Sequence, residues 1–145
     1  MSLIAEQPEV AAQPLVGVVE DDPSVAALAA ELCHGMGANA LLFASPTPFL
    51  QAFSDGAPRA VVLDWRLERE VSSAAFMAIR HRYPQLPVVC WTASPREGLP
   101  IMILHDPMTR IVDKALGMAA FEHALWWALG SGEGEGLRAP VTNGR

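Results

Sequence analysis

The chain has 145 residues, a length that suits one domain, and 51% of them are hydrophobic, which is enough for one full core. A net charge of −6 with scattered arginines argues against a nucleic-acid-binding face, because such a face needs clustered Lys and Arg. No apolar run approaches the length of a spanning helix and no signal-peptide pattern is visible, so we expect a cytoplasmic protein with no membrane partner.

Short apolar runs alternate with amphipathic stretches along the chain. The predicted elements are, in order, a flexible arm (1–13), a strand (15–19), a helix from Asp22-Pro23 to Gly35, a strand (40–44), a helix starting at Ser45-Pro46, a strand (60–64), a helix ended by Pro84, a strand (86–91), a short or irregular helix within 94–109, a strand (110–113), a helix (118–130) and a disordered tail (131–145). Strands that alternate with helices predict an α/β fold with a parallel sheet covered on both faces.

Polar side chains stand at the ends of four predicted strands. They are Glu20 and Asp21 after the first strand, Asp64 at the end of the third, Thr92 after the fourth and Lys114, the only lysine, after the fifth. Ligands of open parallel sheets bind at the carboxyl ends of the strands, so we expect these groups to converge at one edge.

Several of these residues also have a purely structural interpretation. Asp22 is best interpreted as the N-cap of the first helix. Thr92 alone could satisfy a backbone group at a strand end, and Lys114 could be a solvated strand terminus. Asp64, which closes an apolar strand, is the hardest to explain by structure alone. Cys33 and Cys90 lie far apart in apolar contexts and are predicted to be buried free thiols.

The order of these polar residues resembles that of receiver domains of two-component response regulators, over about residues 14–130. The resemblance implies a flavodoxin-like, doubly wound fold with a five-stranded parallel sheet of order 2-1-3-4-5. It implies that Asp64 accepts a phosphoryl group from a histidine kinase or histidine phosphotransfer protein, while Thr92 and Lys114 contact phosphoryl oxygens. The implied Mg²⁺ ligands are Glu20, Asp21, Asp64 and the main-chain carbonyl of Arg66. The chain would be a signalling phosphoacceptor and not an enzyme.

The sequence departs from the family pattern around the output switch. Ile111 stands where the family has an aromatic residue, Ala115 where it has proline after the lysine, Glu68 and Ser72 where it has Pro and Gly in the acceptor loop, and Pro107-Met108 where it has Gly-Ala. We therefore predict a stand-alone receiver with an atypical switch. The alternative is a pseudo-receiver, an interaction module that phosphorylation does not control. A metal-dependent phosphohydrolase is disfavoured, because only loop residues Glu68 or Glu70 could supply a further acid or base.

The last predicted helix suggests a partner surface. Its predicted core stripe consists of Met118, Phe121, Leu125 and Ala128. Trp126 and Trp127 flank that stripe on opposite sides, so one contact cannot bury both rings. Together with Ile103 and Leu104 they predict contacts with an unknown protein target, or a homodimer through the fourth helix, fifth strand and fifth helix. Alternatively, both rings cap the edges of the core.

Overall fold

The structure is a computed structural model that describes residues 13–65, 69–93 and 99–130, with the backbone alone for 69–72. The predicted arm (apart from Gln13), the predicted tail 131–145 and the carbonyl of Arg66 lie outside these ranges.

Strands and helices alternate along the described chain. The strands are β1 (Leu15–Val19), β2 (Asn39–Phe43), β3 (Ala60–Trp65), β4 (Val88–Thr92) and β5 (Thr109–Asp113). The helices are α1 (Pro23–Gly35), α2 (Pro46–Ala52), α3 (Arg69–Arg82), α4 (Ile101–Leu104) and α5 (Met118–Gly130), with a 3₁₀ turn at Lys114–Leu116. All neighbouring strands pair in parallel in the order β2-β1-β3-β4-β5, which confirms the predicted flavodoxin-like α/β fold.

The sheet separates two apolar layers. On one side, α1 and α5 pack against the sheet through residues such as Cys33, Phe121 and Leu125. On the other side, α2, α3 and α4 pack through residues such as Phe49 and Ile79. The central strands are buried on both faces, as expected of continuous valine-rich runs in a parallel sheet.

Local signals in the sequence explain where two helical segments lie. The Asp22 carboxylate accepts hydrogen bonds from the N–H and the hydroxyl of Ser24, at 3.0 and 2.8 Å, so the predicted N-cap is confirmed. The predicted short helix within 94–109 is a single turn, α4, preceded by Pro100. The loop that follows is tied to α3 by an ion pair of 2.8 Å between Arg80 and Asp106.

Several sequence-based details are corrected by the structure. Strand β2 runs one residue earlier than predicted, at Asn39–Phe43. Met118 was predicted to lie in the core stripe of α5 but is 37% exposed, because it is the first residue of the helix and lies at the margin of the layer. Both cysteines are free and fully buried, as predicted, and burial raises the pKa of each thiol to about 12. No helix within the described ranges is long and apolar enough to cross a membrane.

Gly17, in the middle of β1, allows α2 to approach the sheet closely. A Cβ at this position would lie 2.5 Å from Cε1 of Phe49, a ring that is fully buried between Phe43 and Phe53. Such a contact would force the ring or the helix to move in a close-packed layer.

We expect Gly17→Ala to lower the free energy of unfolding by about 1–3 kcal/mol, the usual cost of overpacking. Urea denaturation followed by circular dichroism measures this change. The matched control is Gly35→Ala at the end of α1, where nothing lies within 4 Å of the new methyl group. The control should be neutral or stabilising, since Ala favours helix more than Gly does. Equal stability of Gly17→Ala and the wild type would contradict this account of the β1–α2 contact.

Candidate functional site

Three carboxylates meet at the carboxyl end of the sheet. Glu20 and Asp21 follow β1, and Asp64 lies in the adjacent strand β3, so their oxygens come within 4.8 Å of one another. Glu20 is buried and accepts a hydrogen bond of 3.2 Å from the Asp22 N–H, whereas Asp64 is partly buried and Asp21 is exposed. The cluster therefore contains the buried carboxylate of Glu20, the partly buried carboxylate of Asp64 and the exposed carboxylate of Asp21.

Lys114 brings a positive charge to this cluster. Its Nζ donates to Oδ1 of Asp64 at 2.9 Å and lies 3.4 Å from Oε1 of Glu20. The backbone of Lys114 is held by a capped 3₁₀ turn. Asp113 is the N-cap of this turn, and its carboxylate accepts a hydrogen bond of 2.8 Å from the Ala115 N–H. The structural interpretation of Lys114 as a solvated strand end does not describe this arrangement.

Burial and neighbouring charges shift the proton affinities in the site. Burial raises the pKa of the Glu20 carboxyl above its ordinary value, and the charge of Asp64 raises it further, while Lys114 and the Asp22 N–H act in the opposite direction. Burial disfavours the charged form of Lys114, but its hydrogen bond to Asp64 and the charges of Asp64 and Glu20 outweigh burial, so its pKa is raised. The cluster is thus held together by the lysine against the desolvation and mutual repulsion of its acids.

Thr92 is at the neighbouring strand end, paired in register with Trp65. Its buried hydroxyl donates a hydrogen bond of 3.1 Å to the main-chain carbonyl of Trp65. The Thr92 side chain thus satisfies a backbone carbonyl, which is the structural interpretation of this residue given by the sequence. A role toward a ligand remains a prediction.

The residues predicted to form a partner surface divide into two groups. Ile103 is 1% exposed and packs in the layer of α2 and α3, so its prediction as a surface contact is wrong. In the single turn of α4, Ile103 points to the sheet and the next residue, Leu104, points outward with 53% exposure. Trp126 is 42% exposed, while Trp127 is half-buried with the Arg110 guanidinium 4.4 Å from its ring centroid.

Trp91 is a neighbour of the site that the sequence pattern did not predict. This residue precedes Thr92 in β4, and its ring centroid lies 5.4 Å from Nζ of Lys114. The available signal was a large aromatic side chain directly before a polar strand end. A continuous apolar strand explains such a residue equally well, so the pattern alone could not single it out.

The donor set of the site suits a hard divalent cation. Carboxylate oxygens are the ligands that Mg²⁺ prefers, and it usually takes one or two of them together with waters and phosphate. Glu20, Asp21 and Asp64 offer this chemistry within the span already given.

No family model matches the sequence, and no curated protein sequence matches it. The fold nevertheless matches solved structures over most of its length. A sensor protein from Polaromonas sp. JS666 is 21% identical, with a TM-score of 0.69 over 83% of this chain and 98% of that one. The receiver domain of a sensor histidine kinase from Pseudomonas aeruginosa, solved with a magnesium ion coordinated in its active-site cleft, is also 21% identical, with a TM-score of 0.69 over 82% and 99%.

A third structure is the receiver domain of a CheY-like response regulator from Methylobacillus flagellatus, which is 20% identical with a TM-score of 0.66 over 81% of this chain and 99% of that one. The chain has the receiver-domain fold. At this identity the similarity establishes the fold, and the roles of the site residues are inferred from their chemistry.

Stability without metal should depend on pH through Glu20. The pKa of the Glu20 carboxyl is raised in the folded state, so above pH 4.5 the native state binds more protons than the unfolded state. The free energy of unfolding therefore falls as the pH rises from 4.5 through the folded-state pKa of Glu20. Glu20→Gln removes this dependence, so we expect the variant to gain stability over the wild type at pH 7 and to lose that advantage near pH 4. Urea denaturation in EDTA across this range measures it. A constant difference between the two proteins at all pH values would contradict it.

Proposed function

We propose that this chain is a phosphoacceptor receiver in which Asp64 takes a phosphoryl group in the presence of Mg²⁺. The phosphoryl donor would be a histidine kinase or a histidine phosphotransfer protein, and residues 14–130 would form the receiver unit. The observation that carries the proposal is the joint contact of Lys114 with Asp64 and Glu20 beside the third carboxylate, Asp21, at the carboxyl end of the sheet.

The proposed reaction is a displacement at phosphorus. A carboxylate oxygen of Asp64 forms a bond to the phosphorus, the bond between phosphorus and the donor atom breaks, and the leaving group keeps the electron pair. Glu20 and Asp21 would hold Mg²⁺, which neutralises charge on the phosphoryl oxygens when it is bound. Lys114 would transfer its contact from the carboxylate oxygens to a phosphoryl oxygen, where its compact charge suits the accumulating negative charge.

Thr92 would then respond to phosphorylation. Its hydroxyl would leave the Trp65 carbonyl, 3.1 Å away in this structure, and donate to a phosphoryl oxygen. Ile111, half-buried in the layer of α3 and α4, occupies the position where the family pattern has an aromatic residue. The output of this chain would therefore not use a ring at that position, and a movement of Thr92 would act through aliphatic packing.

Incubation with acetyl phosphate and Mg²⁺ tests the phosphoacceptor role. We expect a retarded Phos-tag band that is stable in acid and labile in base, because aspartyl phosphate is an acyl phosphate. Asp64→Asn should abolish the band. Asp22→Asn is the matched control: it makes the same chemical change at an exposed N-cap, and Asn caps a helix about as well as Asp.

A band that persists in Asp64→Asn would place the phosphate elsewhere. No band in the wild type, with no change of tryptophan fluorescence on titration with Mg²⁺, would favour the second candidate function, an interaction module that phosphorylation does not control.

Either function would need a protein-binding surface. Several apolar side chains next to β5 are exposed: Ile101, Met102 and Leu104 on α4, Leu116 after β5, and Trp126 on α5. Both α4 and α5 contact β5, so these residues flank one edge of the sheet. We propose that this edge, called the β5 edge below, binds an unknown target protein or a second copy of the chain.

Leu104→Ala combined with Trp126→Ala should weaken self-association through the β5 edge. Sedimentation velocity over a range of concentrations, with and without acetyl phosphate, measures the effect. Removing two apolar anchors of an interface should raise the dimer dissociation constant by at least about tenfold. Met77→Ala on α3 is the control, since Met77 is 54% exposed and lies outside the β5 edge. Dimers of the double variant as stable as those of the wild type would contradict the homodimer proposal.

A further inference from the structure

Trp91 lies between the candidate phosphorylation site and α5. It is 3% exposed, and it pairs in register with Val112 of β5, the strand that leads to Lys114. The indole ring faces the ammonium of Lys114, with 5.4 Å between Nζ and the ring centroid. At this distance the negative face of an indole ring attracts a cation, most strongly where water is largely excluded.

A second aromatic ring fixes the indole in place. Phe121 of α5 stacks on Trp91 with 4.3 Å between the ring centroids and an interplanar angle of 28°. Phe121 is fully buried and packs with Leu125 and Ala128 in the same apolar layer. The ring of Trp91 therefore presents a nearly fixed face to Lys114.

Core packing alone does not account for tryptophan at this position. The indole N–H is buried and has no hydrogen-bond partner among the residues that the structure describes. A buried donor without a partner costs free energy, and a purely apolar side chain would avoid that cost. The property that tryptophan adds here is the strong negative face of its ring, which is turned toward the ammonium.

We propose that Trp91 is the positioning residue for Lys114. A lysine side chain is a flexible four-carbon stem, and the residue that follows it here, Ala115, imposes no restriction of its own on the backbone. The carboxylates of Asp64 and Glu20 hold the ammonium on one side, and the indole face holds it on the other. The inference deepens the proposed function, on which it rests: an ammonium confined in this way is ready to meet a phosphoryl oxygen on Asp64.

Lys114 is the only lysine in the chain, so its position can be followed directly. In protein labelled with ¹³C-lysine, a proton–carbon correlation spectrum contains one signal from the side-chain Cε. In the wild type without Mg²⁺ or phosphoryl donor, the ring current of Trp91 should move this signal upfield of that of a free lysine. Trp91→Leu should return it to the free position, and Trp91→Phe should keep part of the displacement.

Phe49→Leu is the control for general loosening of the core. It truncates a fully buried ring in the layer of α2, on the other side of the sheet, and should leave the lysine signal unchanged. If Trp91→Leu does not fold, Trp91→Phe decides alone, because a smaller ring must give a smaller displacement. A lysine signal in the folded Trp91 variants identical to that of the wild type would overturn the proposal.

The initial rate of phosphorylation by acetyl phosphate adds a functional measurement. We expect the rate to fall by severalfold in Trp91→Leu and to be partly restored in Trp91→Phe. If Asp64 takes no phosphate in the wild type, the proposed function fails, but the lysine spectra still test the positioning role. If Asp64 is phosphorylated and Trp91→Leu leaves both the spectrum and the rate unchanged, the positioning role fails and the proposed function stands.

Discussion

The contact of one ammonium with two carboxylates offsets part of the negative charge of this site. Glu20 is taken out of water and lies close to Asp64, and each of these facts opposes its charged form. The Lys114 ammonium lies between these two carboxylates and reduces their repulsion. The fold therefore holds these three charged groups in contact before any ligand binds. The same arrangement costs stability, because a buried acid with a raised pKa is held in a form that it disfavours.

The parallel sheet makes this arrangement possible. All strands of a parallel sheet run in the same direction, so the polar residues that follow their carboxyl ends gather at the same end of the sheet. The strands themselves stay apolar because the two layers of helices cover the two faces of the sheet. On one side, Phe121 supports the ring beside Lys114, and on the other, the pair of Arg80 and Asp106 ties α3 to the loop that leads into β5.

The sequence predicts those parts of the structure that depend on short-range patterns. The parallel sheet follows from the alternation of apolar strands with helices, and the N-cap follows from Asp22-Pro23. The strand order came only from the resemblance to receiver domains, and the structure has that order. The gathering of Glu20, Asp21, Asp64 and Lys114 follows from apolar runs that end in polar residues. The roles of those residues in phosphoryl transfer remain predictions, since geometry alone does not test them.

Other features depend on packing between distant segments, which periodicity does not report. Ile103 and Leu104 are adjacent aliphatic residues, and the sequence does not distinguish them. The orientation of the single turn of α4 against the sheet buries Ile103 and exposes Leu104. Met118 fits the stripe of α5 by spacing, but its place at the helix start leaves it at the margin. The contact of Trp91 with Lys114 joins β4 to the 3₁₀ turn that follows β5 and could not be read from either segment alone.

The burial of both cysteines has a practical consequence for chemical labelling. Cys33 and Cys90 are the only thiols in the chain, both are inaccessible, and a thiol with a pKa of about 12 carries almost no thiolate at neutral pH. Alkylating reagents should therefore react with these thiols only when the protein unfolds locally or globally, so the labelling rate reports the rate or the extent of that unfolding. A cysteine introduced on the surface would be the one fast-reacting thiol, and a dye could be attached there without removing either native cysteine.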